Sequence, residues 1–208
     1  MRLIQSIVPL ISLMLSFNIQ AGGNAEDIQQ LRNLLQPISS LSAQFKQQVT
    51  DADGFQLQQS EGLFQVAQPN NLRWIVEQPM PQQVISNGLT LWLYDPDLEQ
   101  VIVKPFDASI ESTPAILFSG DLTRLDSAYF IRQLSPDVFQ LTPEQEGSLF
   151  SELQIIFVDQ LPASISLTDS LEQVTRITFS DVRLNPSLPA ALFEFEVPGD
   201  IDVINNDS

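Results

Sequence analysis

Long runs in which apolar and polar residues alternate are the feature that most constrains the fold of this chain. The clearest run spans residues 41–50, where one set of alternate positions holds Leu41, Ala43, Phe45, Gln47 and Val49. Successive side chains of a β-strand point to opposite faces, so this period of two predicts a strand with one largely apolar face and one polar face.

Similar runs recur along the chain, separated by short turns rich in Pro, Asp, Asn and Gly. They predict further strands at residues 60–66, 72–76, 84–85, 91–94, 100–104, 129–134, 138–141, 153–158, 165–167, 174–182 and 193–197. Because hairpin-length loops leave no room for parallel crossovers, we expect one meandering antiparallel sheet of about ten to twelve strands. A sheet of this size curls to bury its apolar face, which favours a groove or cavity, and a packed two-sheet sandwich is the alternative.

The Asn87-Gly88 pair has the signature of a two-residue hairpin. This hairpin would pair Ile85 with Thr90 and would place Ile85, Trp92 and Tyr94 on one face, with Val84, Leu91 and Leu93 on the other. Both faces are apolar here, which predicts that this part of the sheet is covered on both sides.

Two segments have helical patterns. Residues 26–35 place Ile28, Leu31, Leu34 and Leu35 at helical spacing with acidic residues in the first turn, and Pro37 ends the segment. Residues 112–120 hold a short apolar run between Thr113-Pro114 and Gly120, which predicts a short helix that must pack against other elements. The acidic end of the chain, residues 198–204, is expected to fray.

The N-terminus has the pattern of a secretory signal peptide. One basic residue, Arg2, precedes a short apolar run that ends near Ala21, so we expect cleavage after residue 21, with a cut after residue 25 as the alternative, and a single domain over residues 22–208. An uncleaved anchor is a weaker interpretation, because the run is short and contains Pro9.

The composition excludes several kinds of chemistry. The chain contains no cysteine and no histidine, which removes zinc sites built on these residues, Ser–His or Cys nucleophiles and disulfides. A net charge of −17 disfavours nucleic acid and anionic membranes as partners. Asp95, Asp97 and Glu99 form the densest acidic cluster, but Asp and Pro are the expected residues of a turn at this point. We therefore expect no enzymatic activity, no metal and no cofactor.

Two stretches resemble a known family. The first is Leu41-x-Ala43-x-Phe45-x-Gln47, and the second runs from Phe64-x-Val66-x-x-Pro69-Asn70-x-Leu72-x-Trp74 through Ser86-Asn87-Gly88 to Leu91-Trp92-x-Tyr94-Asp95-Pro96. Together with Thr113-Pro114 and the Phe193-x-Phe195-x-Val197-Pro198 ending, they resemble the outer-membrane lipoprotein carrier family, LolA, along essentially the whole chain after the signal.

The resemblance implies a mainly β fold with short helices: an incomplete antiparallel β-barrel, or strongly curved single sheet, with a helical lid over a hydrophobic cavity. It also implies a monomeric periplasmic carrier. Such a carrier binds the acyl chains of lipoproteins released from the inner membrane by an ABC transporter and delivers them to an outer-membrane acceptor lipoprotein.

The resemblance also assigns residues to these roles. The cavity would be lined by Phe45, Phe64, Val66, Leu72, Trp74, Ile85, Trp92 and Tyr94, and the lid would contain Ile116, Leu117 and Phe118. The family usually has a basic residue before the proline at Pro69, and this residue latches the lid to helix carbonyls. Here the position is Gln68, which predicts a weaker latch or a latch supplied by another residue.

Other functions remain as alternatives. The acceptor lipoprotein shares the fold but requires an acylated cysteine, which the chain lacks. A periplasmic regulator that senses lipid or protein through a similar half-barrel usually has a second domain. A hydrolase would need a nucleophile and a base that the sequence does not provide.

Overall fold

The computed structural model of the protein describes residues 25–106, 117–118, 122, 125–145 and 147–205. The predicted signal peptide and Ile116 therefore lie outside the described residues. Two α-helices are α1 (Ala25–Leu35) and α2 (Leu125–Ala128), and a 3-10 helix spans Ala190–Phe193. The strands are β1 (Ser40–Thr50), β2 (Gln56–Ala67), β3 (Asn71–Gln78), β4 (Gln82–Asn87), β5 (Thr90–Asp95), β6 (Gln100–Pro105), β7 (Tyr129–Ser135), β8 (Val138–Pro143), β9 (Glu152–Val158), β10 (Leu161–Thr168), β11 (Val174–Leu184) and β12 (Asp202–Asn205).

These twelve strands form a single open, curved sheet, in the order β12-β6-β5-β4-β3-β2-β1-β11-β10-β9-β8-β7. The predicted fold class, a mainly β chain with one strongly curved sheet, is confirmed, and the two-sheet sandwich is wrong. Strands β1 to β6 follow one another as hairpins, and β7 to β11 do the same. The pairing of β1 with β11 joins these two meanders.

Most neighbouring strands pair in antiparallel fashion, as predicted, but the last one does not. The predicted fraying of residues 198–204 is wrong for residues 202–204, which belong to β12 and pair in parallel with β6, where Val203 lies opposite Val101. The backbone N–H of Asp202 donates to the carbonyl of Glu99 at 2.8 Å and begins this pairing. The predicted strand at 193–197 is also wrong, because a 3-10 helix occupies residues 190–193.

The core lies on one face of the sheet, which we call the inner face. Directly paired residues share a face, and the pairings of β1 with its two neighbours place Phe45 on the same face as Gly62 and Phe179. The buried strand residues of the core cluster are Leu41, Ala43, Phe45, Phe64, Val66, Leu72, Tyr129, Ile131, Phe139, Leu141, Leu153, Ile155, Phe157, Ile165, Ile177 and Phe179.

Helix α1 covers part of the inner face, and its predicted extent is confirmed. Leu31 and Leu35 are buried in the core cluster. Acidic residues occupy the first turn, where their negative charge interacts favourably with the helix dipole. The helix is tied to β7 because the backbone N–H of Gln133 donates to Asp27 Oδ2 at 3.1 Å. The helix ends just before Pro37, which cannot donate a backbone hydrogen bond.

Candidate ligand-binding face

A cluster of aromatic rings occupies the inner face of β1, β2 and β3. The rings of Phe45 and Trp74 have centroids 4.3 Å apart and are tilted by 40°. Phe64 lies 5.3 Å from Trp74, edge to face, and 5.4 Å from Phe179, stacked. Gly62 of β2 pairs with Phe45 of β1 on one side and with Val76 of β3 on the other. Because Gly62 has no side chain, Trp74 can reach Phe45 across β2.

Gly62 is also a point of close approach between β2 and β3. A Cβ atom at this position would lie 1.9 Å from the carbonyl oxygen of Ile75, a distance that no real Cβ contact has. The register shifts by one residue between Glu61 and Gly62, so this glycine marks an irregularity in the pairing. The glycine therefore sets how closely the strands that carry the aromatic rings approach one another.

Five of the predicted cavity residues share this inner face: Phe45, Phe64, Val66, Leu72 and Trp74. All of them are buried except Trp74, which is half-buried. The register explains their grouping, because β2 aligns Phe64 with Trp74 and Val66 with Leu72.

The three other predicted cavity residues, Ile85, Trp92 and Tyr94, lie on the opposite face, which we call the outer face. Trp74 pairs with Val84 in β4, so the neighbouring Ile85 points to the other side of the sheet. Ile85 pairs with Trp92, and Tyr94 shares their face. Their assignment to the same cavity as Phe45 is therefore wrong, because the alternation that groups these three residues also separates them from the inner face.

The C-terminal segment covers the outer face at this point. Phe193 is buried, and its 3-10 helix packs against β3 and β4. The ring of Phe195 lies 5.1 Å from that of Tyr94, and Arg73 Nη1 donates to the carbonyl of Leu192 at 3.2 Å. The outer-face part of the predicted two-sided cover is confirmed, and residues 190–195 provide it.

The hairpin between β4 and β5 has a different register from the predicted one. Ser86 pairs with Leu91, so Gly88 and Leu89 form the two-residue loop instead of Asn87 and Gly88. Gly88 has a φ of +84°, and Asn87 Oδ1 accepts the backbone N–H groups of Leu89 and Thr90. The shift is two residues, an even number, so the predicted division of side chains between faces is confirmed.

Two of the three predicted lid residues are described, and both are buried. Leu117 and Phe118 have 3-10 backbone and belong to the core cluster. The ring of Phe118 lies 5.9 Å from Phe64. These side chains thus occupy part of the space above the inner face of the sheet.

Gln68 donates to the segment between α1 and β1. Its Nε2 lies 2.6 Å from the carbonyl oxygen of Ile38, and its backbone N–H donates to Ser39. A second donor, Nη2 of Arg32 in α1, lies 3.3 Å from the carbonyl oxygen of Leu122, four residues beyond Phe118. Arg32 therefore supplies a cationic contact to the region that follows Leu117 and Phe118.

A pocket of about 200 Å³ opens beside Trp74 at one end of the inner face. The residues that line it are Gln47, Gln58, Ser60, Trp74, Val76, Pro79, Met80, Gln82 and Val84. Apart from Trp74, these residues were not among the predicted site. The signal for one of them was present in the sequence, because Gln47 occupies the same alternate positions as Phe45.

The acidic cluster at the β5–β6 turn has a structural role. Asp95 Oδ1 accepts the backbone N–H groups of Asp97 and Leu98, each at 3.1 Å, which is the geometry of an Asx turn. The predicted turn is confirmed.

Among the described residues, no group of three or more acidic, cysteine or histidine side chains is arranged to hold a metal ion. In the same part of the chain, no helix is both long and apolar enough to cross a membrane.

One solved structure with low sequence identity shares this architecture. A solved structure of an uncharacterised conserved protein from Thermus thermophilus has a TM-score of 0.51 at 12% identity, covering 87% of this chain and 98% of that one, which shows a shared fold. A LolA-superfamily protein from Nitrosomonas europaea has a TM-score of 0.48 at 15% identity, covering 82% of this chain and 96% of that one.

Relatives in sequence identify the family, whereas the solved structures show the fold alone. The outer-membrane lipoprotein carrier protein of Chromohalobacter salexigens is 38% identical over 197 residues, or 93% of this chain and 92% of that protein. The protein of the same name from Azotobacter vinelandii is 39% identical over 187 residues, 88% of this chain and 90% of its own length. The family model described as outer membrane lipoprotein carrier protein LolA matches residues 36–196, and this chain therefore belongs to the LolA family of outer-membrane lipoprotein carriers.

Proposed function

We propose that this protein is a periplasmic carrier that shields the acyl chains of lipoproteins against the inner face of its sheet. The observation that carries the proposal is the position of Trp74, which packs on Phe45 and Phe64 and also lines the open pocket. An apolar ligand that enters this pocket comes into contact with the core at once.

The energetics explain why such a carrier is required. Burying one CH₂ group is worth about 0.8 kcal/mol, so a protein with several acyl chains does not leave a membrane for water at a useful rate unaided. A protein surface that replaces the membrane for these chains removes most of this cost. The carrier function needs binding and release only, with no chemical step.

The pocket is small for such a ligand. Its volume of about 200 Å³ is below the range of roughly 300–1,000 Å³ that is usual for sites of drug-sized ligands. Bound acyl chains therefore have to displace Leu117 and Phe118 from the inner face. These two side chains would return when the ligand leaves, and their competition with the acyl chains would keep binding reversible.

We further propose the route. An ATP-driven transporter of the inner membrane releases the lipoprotein to this carrier, and the carrier passes it to an acceptor lipoprotein of the outer membrane. Family membership and the apolar inner face support this route. The strongly acidic composition, with a net charge of −17, would steer the carrier towards basic surfaces on its partners and away from anionic lipid.

A release assay tests the proposal. Inner-membrane vesicles that contain radiolabelled lipoprotein and the transporter are incubated with ATP and the purified chain without its signal peptide. We expect a soluble one-to-one complex of lipoprotein and carrier on gel filtration. Absence of soluble lipoprotein, in vesicles whose transporter hydrolyses ATP and serves another carrier of the family, would contradict the carrier function.

The two tryptophans provide a matched pair of variants. Trp74 and Trp92 are both half-buried and lie on opposite faces of the same sheet. We expect Trp74→Ala to reduce the amount of soluble complex several-fold and Trp92→Ala to leave it close to the wild-type amount, provided that both variants are folded by circular dichroism. Equal losses from both variants would contradict the assignment of the inner face.

A further inference from the structure

The polar side chains of the pocket beside Trp74 are all neutral. Three carboxamides and one hydroxyl line it, from Gln47, Gln58, Gln82 and Ser60, together with five apolar residues. In the described part of the chain, the side chains of Gln47, Gln58 and Ser60 make no hydrogen bond with other residues. Such groups are donors and acceptors ready for a ligand.

The pocket has both a polar side and an apolar side. Trp74, Val76 and Val84 pack against the core cluster. The pair of Gln47 and Ser60 is the next pair on the inner face of β1 and β2 after that of Phe45 and Gly62. Pro79 and Met80 form part of the rim, and more than half of the Met80 side chain is exposed. A ligand here would have an apolar part beyond Trp74 and a polar part at the amides.

The electrostatics of the pocket disfavour an anionic ligand group. No arginine or lysine is among the lining residues. One lining side chain contacts a carboxylate, since Gln82 Nε2 donates to Asp95 Oδ2 at 3.0 Å. A phosphate or a free carboxylate in this place would be desolvated without a cationic partner.

From these observations we infer that the pocket binds the neutral ester and amide carbonyls that join the acyl chains to the N-terminal cysteine of a lipoprotein. The inference rests on the proposed carrier function and adds a specificity site to it. The N–H groups of Gln47 and Gln58 and the hydroxyl of Ser60 donate to these carbonyl oxygens, and the acyl chains extend past Trp74. The site thus disfavours a ligand that places a phosphate or a free carboxylate among these side chains, because no cationic residue lines the pocket.

The test compares two synthetic lipopeptides with the same chain lengths. One has an N-terminal cysteine with an N-acyl chain and a diacylglyceryl thioether, and its analogue has ether bonds in place of the two glyceryl esters. The protein has two tryptophans, so binding to a Trp92→Phe background is followed through the fluorescence of Trp74. We expect the ester lipopeptide to bind about tenfold more tightly than the ether analogue, which corresponds to one or two net hydrogen bonds.

The double variant Gln47→Leu/Gln58→Leu should lose this preference while it still binds the ether analogue. Its matched control is Gln44→Leu/Gln59→Leu, which changes two exposed glutamines on the outer face of the same two strands and should retain the preference. Using the ratio of the two affinities removes the effect of the added apolar surface, which acts on both ligands alike.

The possible outcomes separate the site from the carrier function. If the Trp92→Phe protein with its glutamines intact binds both lipopeptides equally, or if the control variant loses the preference too, the inference about the pocket is wrong and the carrier function stands. If neither lipopeptide binds, the proposed carrier function itself is contradicted. Palmitate that displaces the ester lipopeptide at equal concentration would also overturn the selectivity for neutral carbonyls over a carboxylate.

Discussion

The rings of Phe45 and Trp74, which belong to strands that are not adjacent, lie 4.3 Å apart across β2. Gly62 makes this contact possible, because it is the β2 residue that pairs with Phe45. The contact joins the fully buried core to the open pocket, since Phe45 is buried and Trp74 lines the pocket.

Replacing Phe45 with alanine should strongly destabilise the fold. The side chain is 2% exposed and contacts Trp74, so its removal leaves a cavity in the core, and we expect a loss of about 3–5 kcal/mol in the free energy of unfolding. Urea denaturation followed by circular dichroism measures it. Phe55→Ala is the control, because Phe55 is 71% exposed, and a similar loss in both variants would contradict the packing described for Phe45.

Gly62→Ala should be destabilising although alanine is the smallest possible addition. The new Cβ would overlap the carbonyl oxygen of Ile75, so β2 and β3 have to move apart, at a cost of about 1–3 kcal/mol. The shift in the urea midpoint measures this effect. Gly199→Ala, where a Cβ meets no atom within 4 Å, should leave the midpoint unchanged.

Phe193→Ala should detach the C-terminal segment from the outer face. The buried ring covers this face together with Phe195, and its loss should cost about 3 kcal/mol and speed proteolytic cleavage within residues 190–205. Limited proteolysis with mass spectrometry detects the cleavage. Leu89→Ala, at a residue that is 80% exposed, is the control, and protection of the segment in Phe193→Ala would contradict the proposed cover.

Arg32→Met should reduce stability through the loss of a charged hydrogen bond. The guanidinium donates to the carbonyl of Leu122, and methionine retains most of the apolar stem, so we expect a loss of about 1–2 kcal/mol. Thermal unfolding at matched protein concentration measures it. Arg183→Met makes the same change of net charge at an exposed position, and equal effects in both variants would show that net charge, not this contact, is responsible.

Gln68→Ala should have a smaller effect of the same kind. It removes the neutral hydrogen bond to the carbonyl of Ile38, which is worth about 0.5–1.5 kcal/mol. Gln59→Ala, at an exposed position in β2, controls for the loss of a glutamine. If Gln68→Ala is as stable as this control in urea, the contact between Gln68 and the α1–β1 connection does not stabilise the fold.

Local patterns in the sequence were sufficient to predict several strands and helix α1. The alternation in residues 41–50 defined which side of β1 faces the core, and the helical spacing before Pro37 defined α1. The division of Ile85, Trp92 and Tyr94 from Val84, Leu91 and Leu93 was also correct, because alternation depends only on backbone geometry and is unchanged by a register shift of two residues.

Only the tertiary structure decided which of the two apolar faces carries the core and the aromatic cluster. Ile85 and Trp74 both belong to apolar strand segments, so their sequence context does not distinguish them. They lie on opposite faces of the sheet because Trp74 pairs with Val84, the neighbour of Ile85. The cover of the outer face comes from Phe193, more than one hundred residues away in the chain. The parallel pairing of β12 with β6 and the neutral pocket around Gln47 and Gln58 likewise depend on distant segments, and alternation within one strand holds no information about such contacts.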